Sequence, residues 1–236
     1  MTARAGAGFV LDGFQRRAIG HLDSGLSVLV SAPTGSGKTV VADHAVDSAL
    51  SVGRRAFYTT PIKALSNQKY RDLCHRLGSQ RVGLLTGDNV IAGDADVVVM
   101  TTEVLRNMIY GGGVDASLGA VVLDEVHFLE DPYRGPVWEE VILHLPPDVV
   151  LVCLSATVSN HRELGDWLNR VHGPTAVVAE RRRPVPLTNL YAVGRRRSDS
   201  VQIVPTLAEG RPNPEGSRFG QPRRHLQPET GVPGNG

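Results

Sequence analysis

Short runs of apolar, often β-branched residues alternate with amphipathic stretches between residues 27 and 180, and this alternation limits the possible folds most strongly. The runs are almost continuously apolar, which is typical of strands covered on both faces. Strands that alternate with helices indicate a doubly wound, mostly parallel α/β sheet with helices on both faces. The predicted strands are 27–32, 56–60, 81–85, 96–101, 120–123, 149–155 and 175–179.

Two of the intervening stretches carry clear helical stripes. Leu65, Leu73 and Leu77 repeat at multiples of four, and residues 137, 141 and 145 are Val, Val and Leu at the same spacing. Such spacing places apolar side chains on one helix face. In doubly wound sheets ligands collect at the carboxyl ends of the strands, so functional residues are expected just after each apolar run.

Composition excludes several other classes of protein. The longest apolar run, 149–154, is far shorter than the ~20 residues that span a membrane, and no signal peptide is evident, so we expect a cytoplasmic protein without a membrane partner. Cys74 and Cys153 are too few for a disulfide scaffold and lack metal-ligand spacing. The net charge of +1 does not indicate a globally basic protein, so nucleic-acid binding has to be argued from individual positions.

Composition changes near the carboxyl end. Residues 195–236 contain six of the fifteen prolines, together with six glycines and seven arginines, and lack apolar periodicity. Such a segment buries too little apolar surface to offset its ordering entropy. We therefore predict an amino-terminal segment at 1–25, one domain at 26–190 and a disordered tail at 195–236.

The segment 31–39, which reads Ser-Ala-Pro-Thr-Gly-Ser-Gly-Lys-Thr, follows a predicted strand and precedes a helix. It matches the phosphate-binding P-loop, except that Ala32 replaces the first glycine. Gly35 and Gly37 allow backbone amides to surround phosphate oxygens at the positive end of a helix. Lys38 is predicted to reach the phosphates of ATP and the Thr39 hydroxyl to bind Mg²⁺. The expected nucleotide-binding residues of this loop are Pro33, Thr34, Gly35, Ser36, Gly37, Lys38 and Thr39.

Two adjacent acids, Asp124 and Glu125, end the buried run 120–123, and His127 follows them. Neighbouring residues of a strand point to opposite faces, so the two acids are expected to differ in role. Asp124 is predicted to hold Mg²⁺, and Glu125 to orient or deprotonate the attacking water. With Lys38, they form the predicted catalytic set.

Several segments together resemble the DEVH-box helicases of superfamily 2, in particular the superkiller-type (Ski-like) and bacterial HelY-type members. Residues 124–127 resemble their DEVH box, and 155–157 (Ser-Ala-Thr) resemble motif III. Residues 60–70 resemble motif Ia, while 86–88 and 101–106 resemble motifs Ib and Ic. The resemblance extends from residue 9 to residue 190 and implies one RecA-like P-loop NTPase domain that uses ATP and Mg²⁺.

The resemblance also implies roles for single residues. Gln15 and Phe9 stand at the spacing of the adenine-recognition pair, with His127 in the ATP site and Ser155 and Thr157 coupling nucleotide state to nucleic-acid binding. The implied partner is single-stranded RNA or DNA, and the sequence leaves that choice open. The expected nucleic-acid contacts are Pro61, Lys63, Thr86, Gly87, Thr102 and Arg106.

The family pattern continues into a second RecA-like domain with arginines that reach the γ-phosphate, and residues 191–236 show no counterpart. We expect an ATP-binding helicase motor domain. The alternative is a truncated or frameshifted, hydrolysis-poor fragment that binds nucleotide and nucleic acid. A P-loop kinase or transporter ATPase is less consistent with the sequence, because neither class combines segments like 60–70 and 155–157.

Overall fold

The computed structural model describes residues 10–194, 201–208 and 210–217. Two compact units are present, Met1–Pro184 and Val185–Gly236. The first unit holds an eight-stranded sheet in the order β4-β3-β5-β2-β6-β7-β1-β8, parallel except for β4. The strands are β1 (Ser27–Ser31), β2 (Arg55–Thr60), β3 (Val82–Thr86), β4 (Asn89–Ile91), β5 (Val97–Thr101), β6 (Leu118–Leu123), β7 (Val150–Ser155) and β8 (Thr175–Ala179).

All seven predicted strands are present, which confirms the doubly wound, mostly parallel sheet. The eighth strand, β4, was not predicted. It has only three exposed residues and pairs antiparallel with the end of β3 at the sheet edge. A strand this short and exposed has no apolar pattern by which the sequence could reveal it.

Within the part of the chain that the structure describes, six helices cover the sheet. They are α1 (Gly13–Asp23), α2 (Thr39–Ser51), α3 (Lys63–Leu77), α4 (Thr102–Tyr110), α5 (Gly135–His144) and α6 (His161–Val171). Short 3₁₀ segments occur at Ser79–Arg81 and Val126–Glu130. No helix among the described residues is long and apolar enough to cross a membrane.

Alternate residues of each strand enter two separate cores. In β1, Val28 and Val30 pack against the face covered by α1, α2 and α3, while Leu29 packs against the face covered by α4, α5 and α6. This two-sided burial explains why the strands are apolar at nearly every position. Both cysteines are free, and Cys153 is buried in the second core.

In its described residues, the second unit contains two antiparallel pairs. Strand β9 (Leu190–Gly194) pairs with β10 (Val201–Pro205), β11 (Leu207–Ala208) pairs with β12 (Arg211–Pro212), and a four-residue helix, α7 (Pro214–Ser217), follows. The disorder predicted for 195–236 is therefore not found at 201–208 and 210–217. The sequence at 201–204, Val-Gln-Ile-Val, favours a strand locally, and the low apolar content of the whole tail obscured it. The rest of the tail lies outside the described residues.

Candidate active site

The P-loop, residues 31–39, joins β1 to α2 at the carboxyl edge of the sheet. Gly35 and Gly37 have φ angles of +81° and +82°, a region that favours glycine. The amides of Gly35, Gly37 and Lys38 have no acceptor within the described part of the chain, and the buried Ser36 hydroxyl has no partner there either. A ring of unpaired donors at a helix start is suited to bind an anion.

Lys38 folds back over this loop. Its Nζ atom donates to the carbonyl oxygens of Ala32, at 2.8 Å, and Pro33, at 3.3 Å. Burial lowers the pKa of Lys38, and the carboxylates of Glu125 and Asp124 partly oppose that shift. The ammonium therefore lies close enough to both acids for their charges to interact.

Gln15 on α1 is almost fully buried beneath the loop. Its Nε2 atom lies 3.1 Å from the Gly37 carbonyl oxygen and 3.4 Å from that of Ser36, while its Oε1 accepts from the Asp12 amide at 2.8 Å. The predicted adenine-reading amide thus contacts the P-loop itself. Phe9, its predicted partner, lies outside the described residues.

Asp124 and Glu125 follow β6, which lies between β2 and β7 in the sheet. Glu125 adopts a left-handed backbone conformation, with φ 55° and ψ 44°, which turns the chain sharply from the strand into the 3₁₀ segment. Burial raises the pKa of Glu125, and the adjacent Asp124 raises it further, against smaller effects of His127 and Lys38. A carboxylate with a raised pKa is better suited to accept a proton than an ordinary one.

Both carboxylate oxygens of Asp124 are held by the protein. Oδ1 accepts from the Glu125 amide at 3.0 Å, and Oδ2 accepts from the Tyr58 hydroxyl at 3.0 Å. Burial and the Asp124 charge raise the pKa of Tyr58 well above 10, so its hydroxyl stays protonated as a donor. Sequence reasoning missed Tyr58, because nothing in an apolar strand distinguishes one aromatic residue as a hydrogen-bond donor.

His127 lies between the acids and the segment 155–157. Its Nδ1 atom is 3.3 Å from Glu125 Oε2 and 3.5 Å from the Ala156 amide nitrogen. The hydroxyls of Ser155 and Thr157 make no hydrogen bond within the described part of the chain. Contact with the acids therefore runs through the backbone of 155–157 and the His127 ring, not through the two predicted hydroxyls.

Ser31, a second residue that the sequence did not single out, holds the same segment from the other side. Its hydroxyl donates to the Ala156 carbonyl and accepts from the Val158 amide, each at 3.3 Å. The end of β1, which leads into the P-loop, is thus tied directly to the end of β7. In the sequence, Ser31 is marked only by its place as the first residue of the P-loop segment.

The predicted nucleic-acid residues follow three other adjacent strands, β3, β5 and β2. Lys63 Nζ lies 2.9 Å from Asp88 Oδ1, and the Thr86 hydroxyl donates to the same oxygen at 3.1 Å. Gly87 lies beside Lys63, whereas Pro61 is buried at the end of β2. The Lys63 ammonium and the Thr86 hydroxyl hold the pKa of Asp88 below its usual value.

The other two predicted contacts differ in exposure. Thr102 is fully buried at the start of α4, and its hydroxyl has no partner among the described residues. Arg106, one turn further, bonds Asn107 Oδ1 at 3.0 Å and lies 3.8 Å from Glu140 on α5. Arg106 is therefore half-buried and paired within the described structure, whereas Thr102 is wholly buried, and both remain predicted contacts.

Comparison with known proteins identifies the family. Residues 12–164 match the DEAD/DEAH box helicase family. The chain belongs to that family. It is 56% identical over 207 residues to the probable helicase HelY of Mycobacterium leprae, covering 87% of this chain and 22% of HelY. It is 48% identical over 199 residues to the exosome RNA helicase MTR4 of Homo sapiens, covering 83% of this chain and 19% of MTR4. The predicted resemblance is confirmed.

The helicase domain also resembles solved structures in fold. The crystal structure of the DUF1998 helicase MrfA bound to DNA and AMPPNP superposes with a TM-score of 0.61 at 24% identity, covering 72% of this chain and 27% of MrfA. The chain thus spans about a fifth of the length of the curated relatives it matches. The family resemblance therefore concerns one part of much longer proteins.

The residues of this helicase domain fit a nucleotide–Mg²⁺ complex. No cluster of three or more acidic, histidine or cysteine side chains suited to a metal ion occurs among the described residues. Mg²⁺ at nucleotide sites uses only one or two protein oxygens, with phosphate and water completing its octahedron. The Asp124 carboxylate, whose charge acts on Lys38 of the P-loop, and the exposed Thr39 hydroxyl would supply such a donor set.

Proposed function

We propose that this chain is the ATP-binding motor domain of an ATP-dependent helicase that holds single-stranded nucleic acid. The observation that carries the proposal is the convergence of Lys38, Asp124 and Glu125, whose charges interact behind a loop of unpaired amides. These three residues come from the ends of two strands that are far apart in sequence. Interacting acidic and basic groups beside a P-loop are typical of a catalytic site.

Each residue has a specific role in the proposed hydrolysis. The P-loop amides and Lys38 hold the phosphates of ATP, and Glu125 orients the attacking water and accepts its proton. Thr39 and Asp124 would hold Mg²⁺, which neutralises charge on the phosphate oxygens when bound. His127 connects Glu125 to the backbone of 155–157, because its Nδ1 atom lies close to both the Glu125 carboxylate and the Ala156 amide.

Single-stranded RNA is the proposed nucleic acid. The relative MTR4 is named an RNA helicase, and it shares almost half of the aligned residues. The structure of MrfA contains DNA, which makes single-stranded DNA the second candidate. The proposed contacts are Lys63, Gly87 and Arg106, with the buried Pro61, Thr86 and Thr102 shaping the backbone beside them.

Unwinding is proposed for the whole motor, not for this domain alone. Closure of a second domain supplies an arginine that is worth about 10³–10⁵ in phosphoryl-transfer rate. The competing function is a nucleotide- and RNA-binding module with little turnover. A cytoplasmic location is proposed with either function.

ATP turnover with and without RNA tests the proposal. We expect slow hydrolysis by the isolated chain that poly(U) accelerates more than oligo(dT), and no strand separation. Lys38→Ala should abolish turnover and weaken ATP binding with the fold intact. Arg71→Ala is the matched control, because it removes an exposed cation that has no ion pair within the described structure.

The possible outcomes separate the two functions. ATP binding with no turnover under any condition favours the binding module. Unchanged affinity and turnover in Lys38→Ala would refute the nucleotide site altogether, and vigorous unwinding by the isolated chain would refute the need for a second domain.

A further inference from the structure

The carboxyl edge of the sheet divides into two groups of strands. Strands β3, β5 and β2 precede the proposed nucleic-acid residues, and β6, β7 and β1 precede the proposed nucleotide residues. The groups meet where β2 pairs with β6. At this boundary the Tyr58 hydroxyl, on β2, donates a hydrogen bond to Asp124, which follows β6. A side chain of β2 is thereby joined to the pair of acids.

The Tyr58 side chain is closely surrounded by other residues. It is fully buried in the core between the sheet and helices α2 and α3. The Lys69 ammonium, on α3, lies 4.7 Å from the centre of the ring. A cation over a buried ring is a favourable contact that restrains the ring further.

The hydrogen bond leaves Asp124 able to bind a further ligand. A carboxylate has about four lone-pair sites, and Asp124 uses one on each oxygen for Glu125 and Tyr58. Two donors on different oxygens fix the plane of the carboxylate, and the remaining lone pairs keep a defined direction. Groups that orient a metal-binding carboxylate in this way control metal affinity.

We propose that Tyr58 is a positioning residue that orients Asp124 for Mg²⁺-dependent nucleotide binding, and that Lys69 on α3 holds Tyr58 in place. The inference rests on the proposed nucleotide site. It adds a physical connection between that site and α3. This helix begins at Lys63, which is one of the proposed nucleic-acid contacts.

The test measures binding of a fluorescent ATP analogue by the full chain over a range of Mg²⁺ concentrations and, separately, in EDTA. Tyr58→Phe removes one oxygen and keeps the ring. We expect the Mg²⁺ concentration at half-maximal binding to rise about tenfold, while affinity in EDTA is unchanged. Tyr133→Phe is the control, because that side chain is 92% exposed.

Two further variants exclude a general structural effect. Lys69→Met keeps the hydroxyl and removes the cation over the ring, so it should shift the Mg²⁺ requirement in the same direction by a smaller factor. In an Asp124→Asn background, Tyr58→Phe should cause no additional shift, because it acts through Asp124. Thermal melting confirms that each variant is folded.

The inference and the proposed function fail differently. If the wild-type chain binds the analogue in a Mg²⁺-dependent manner and Tyr58→Phe and Lys69→Met leave that dependence unchanged, Tyr58 does not position Asp124. An equal loss of binding in EDTA and in Mg²⁺ would also overturn the inference, since it indicates damage to the whole site. A wild-type chain that binds no analogue at any Mg²⁺ concentration overturns the proposed function and this inference together.

Discussion

The side-chain amide of Gln15 donates to the carbonyl oxygen of Gly37, with nitrogen and oxygen 3.1 Å apart. This bond connects α1 to the P-loop. The two residues are closely packed, because a Cβ atom added at Gly37 would lie 2.7 Å from the same amide nitrogen. The interaction offers a role for Gln15 that differs from adenine recognition. One residue can be tested for both roles.

Replacing Gln15 by Ala is expected to weaken ATP and GTP binding by the same factor, because loss of the loop anchor affects phosphate contacts common to both. A role in reading adenine predicts selective loss of ATP. The variant should also lower the free energy of unfolding by about 1–3 kcal/mol, since buried carbonyls lose their donor. Competition binding with both nucleotides, with chemical denaturation, distinguishes the two roles.

Glu125→Gln is expected to reduce hydrolysis by about 10²-fold or more while ATP binding persists, because the proton acceptor is removed. The pKa of Glu125 is raised, so wild-type turnover should increase with pH through a value above 4.5 and level off once the carboxylate is ionised. Measurement of turnover against pH should show this acidic limb in the wild type. A wild type whose turnover is independent of pH would contradict the assignment.

The same substitution should stabilise the fold at neutral pH. A raised pKa means that the folded state disfavours the ionised carboxylate, so ionisation costs stability as pH rises from the unfolded-state value through the folded-state value. Glu125→Gln removes that cost. We therefore expect a higher melting temperature than the wild type at pH 7 and no difference near pH 4, measured by differential scanning fluorimetry.

Asp88→Asn is expected to strengthen binding of single-stranded RNA, because it frees Lys63 from its 2.9 Å ion pair and removes a negative charge from the proposed contact surface. The gain should be about threefold at low salt and should shrink as salt rises. Asp94→Asn is the control, an exposed acid with no ion pair in the described structure. Fluorescence anisotropy over a salt series checks this, and equal affinities for wild type and Asp88→Asn would remove Lys63 from the contacts.

Gly135→Ala is expected to destabilise the domain by about 1–3 kcal/mol through overpacking. A Cβ atom there would lie 2.3 Å from the Leu129 carbonyl oxygen, so the 3₁₀ segment or the start of α5 would have to shift. Gly20→Ala, in α1, is the opposite case. It meets nothing within 4 Å, and we expect it to stabilise the domain by about 0.5–1 kcal/mol in a denaturation experiment.

The sequence by itself determined the seven main strands and both of the proposed ligand-binding segments. Buried strands have to be apolar on both faces, and the P-loop and residues 124–127 are continuous stretches whose chemistry is readable in order. By contrast, β4 and the strands at 201–208 are short, exposed or set within a polar tail. Local patterns carry little information about such elements, because few of their residues are buried.

The tertiary structure alone decided how the site is held together. Gln15 lies 22 positions from Gly37, Tyr58 lies 66 positions from Asp124, and Ser31 lies 125 positions from Ala156. Each of these hydrogen bonds depends on the order of the strands and on the directions of the side chains. Neither property can be read from the sequence, because both are set by contacts between segments that are distant in the chain. The sequence therefore identifies the residues suited to the chemistry, and the fold determines which neighbours orient them.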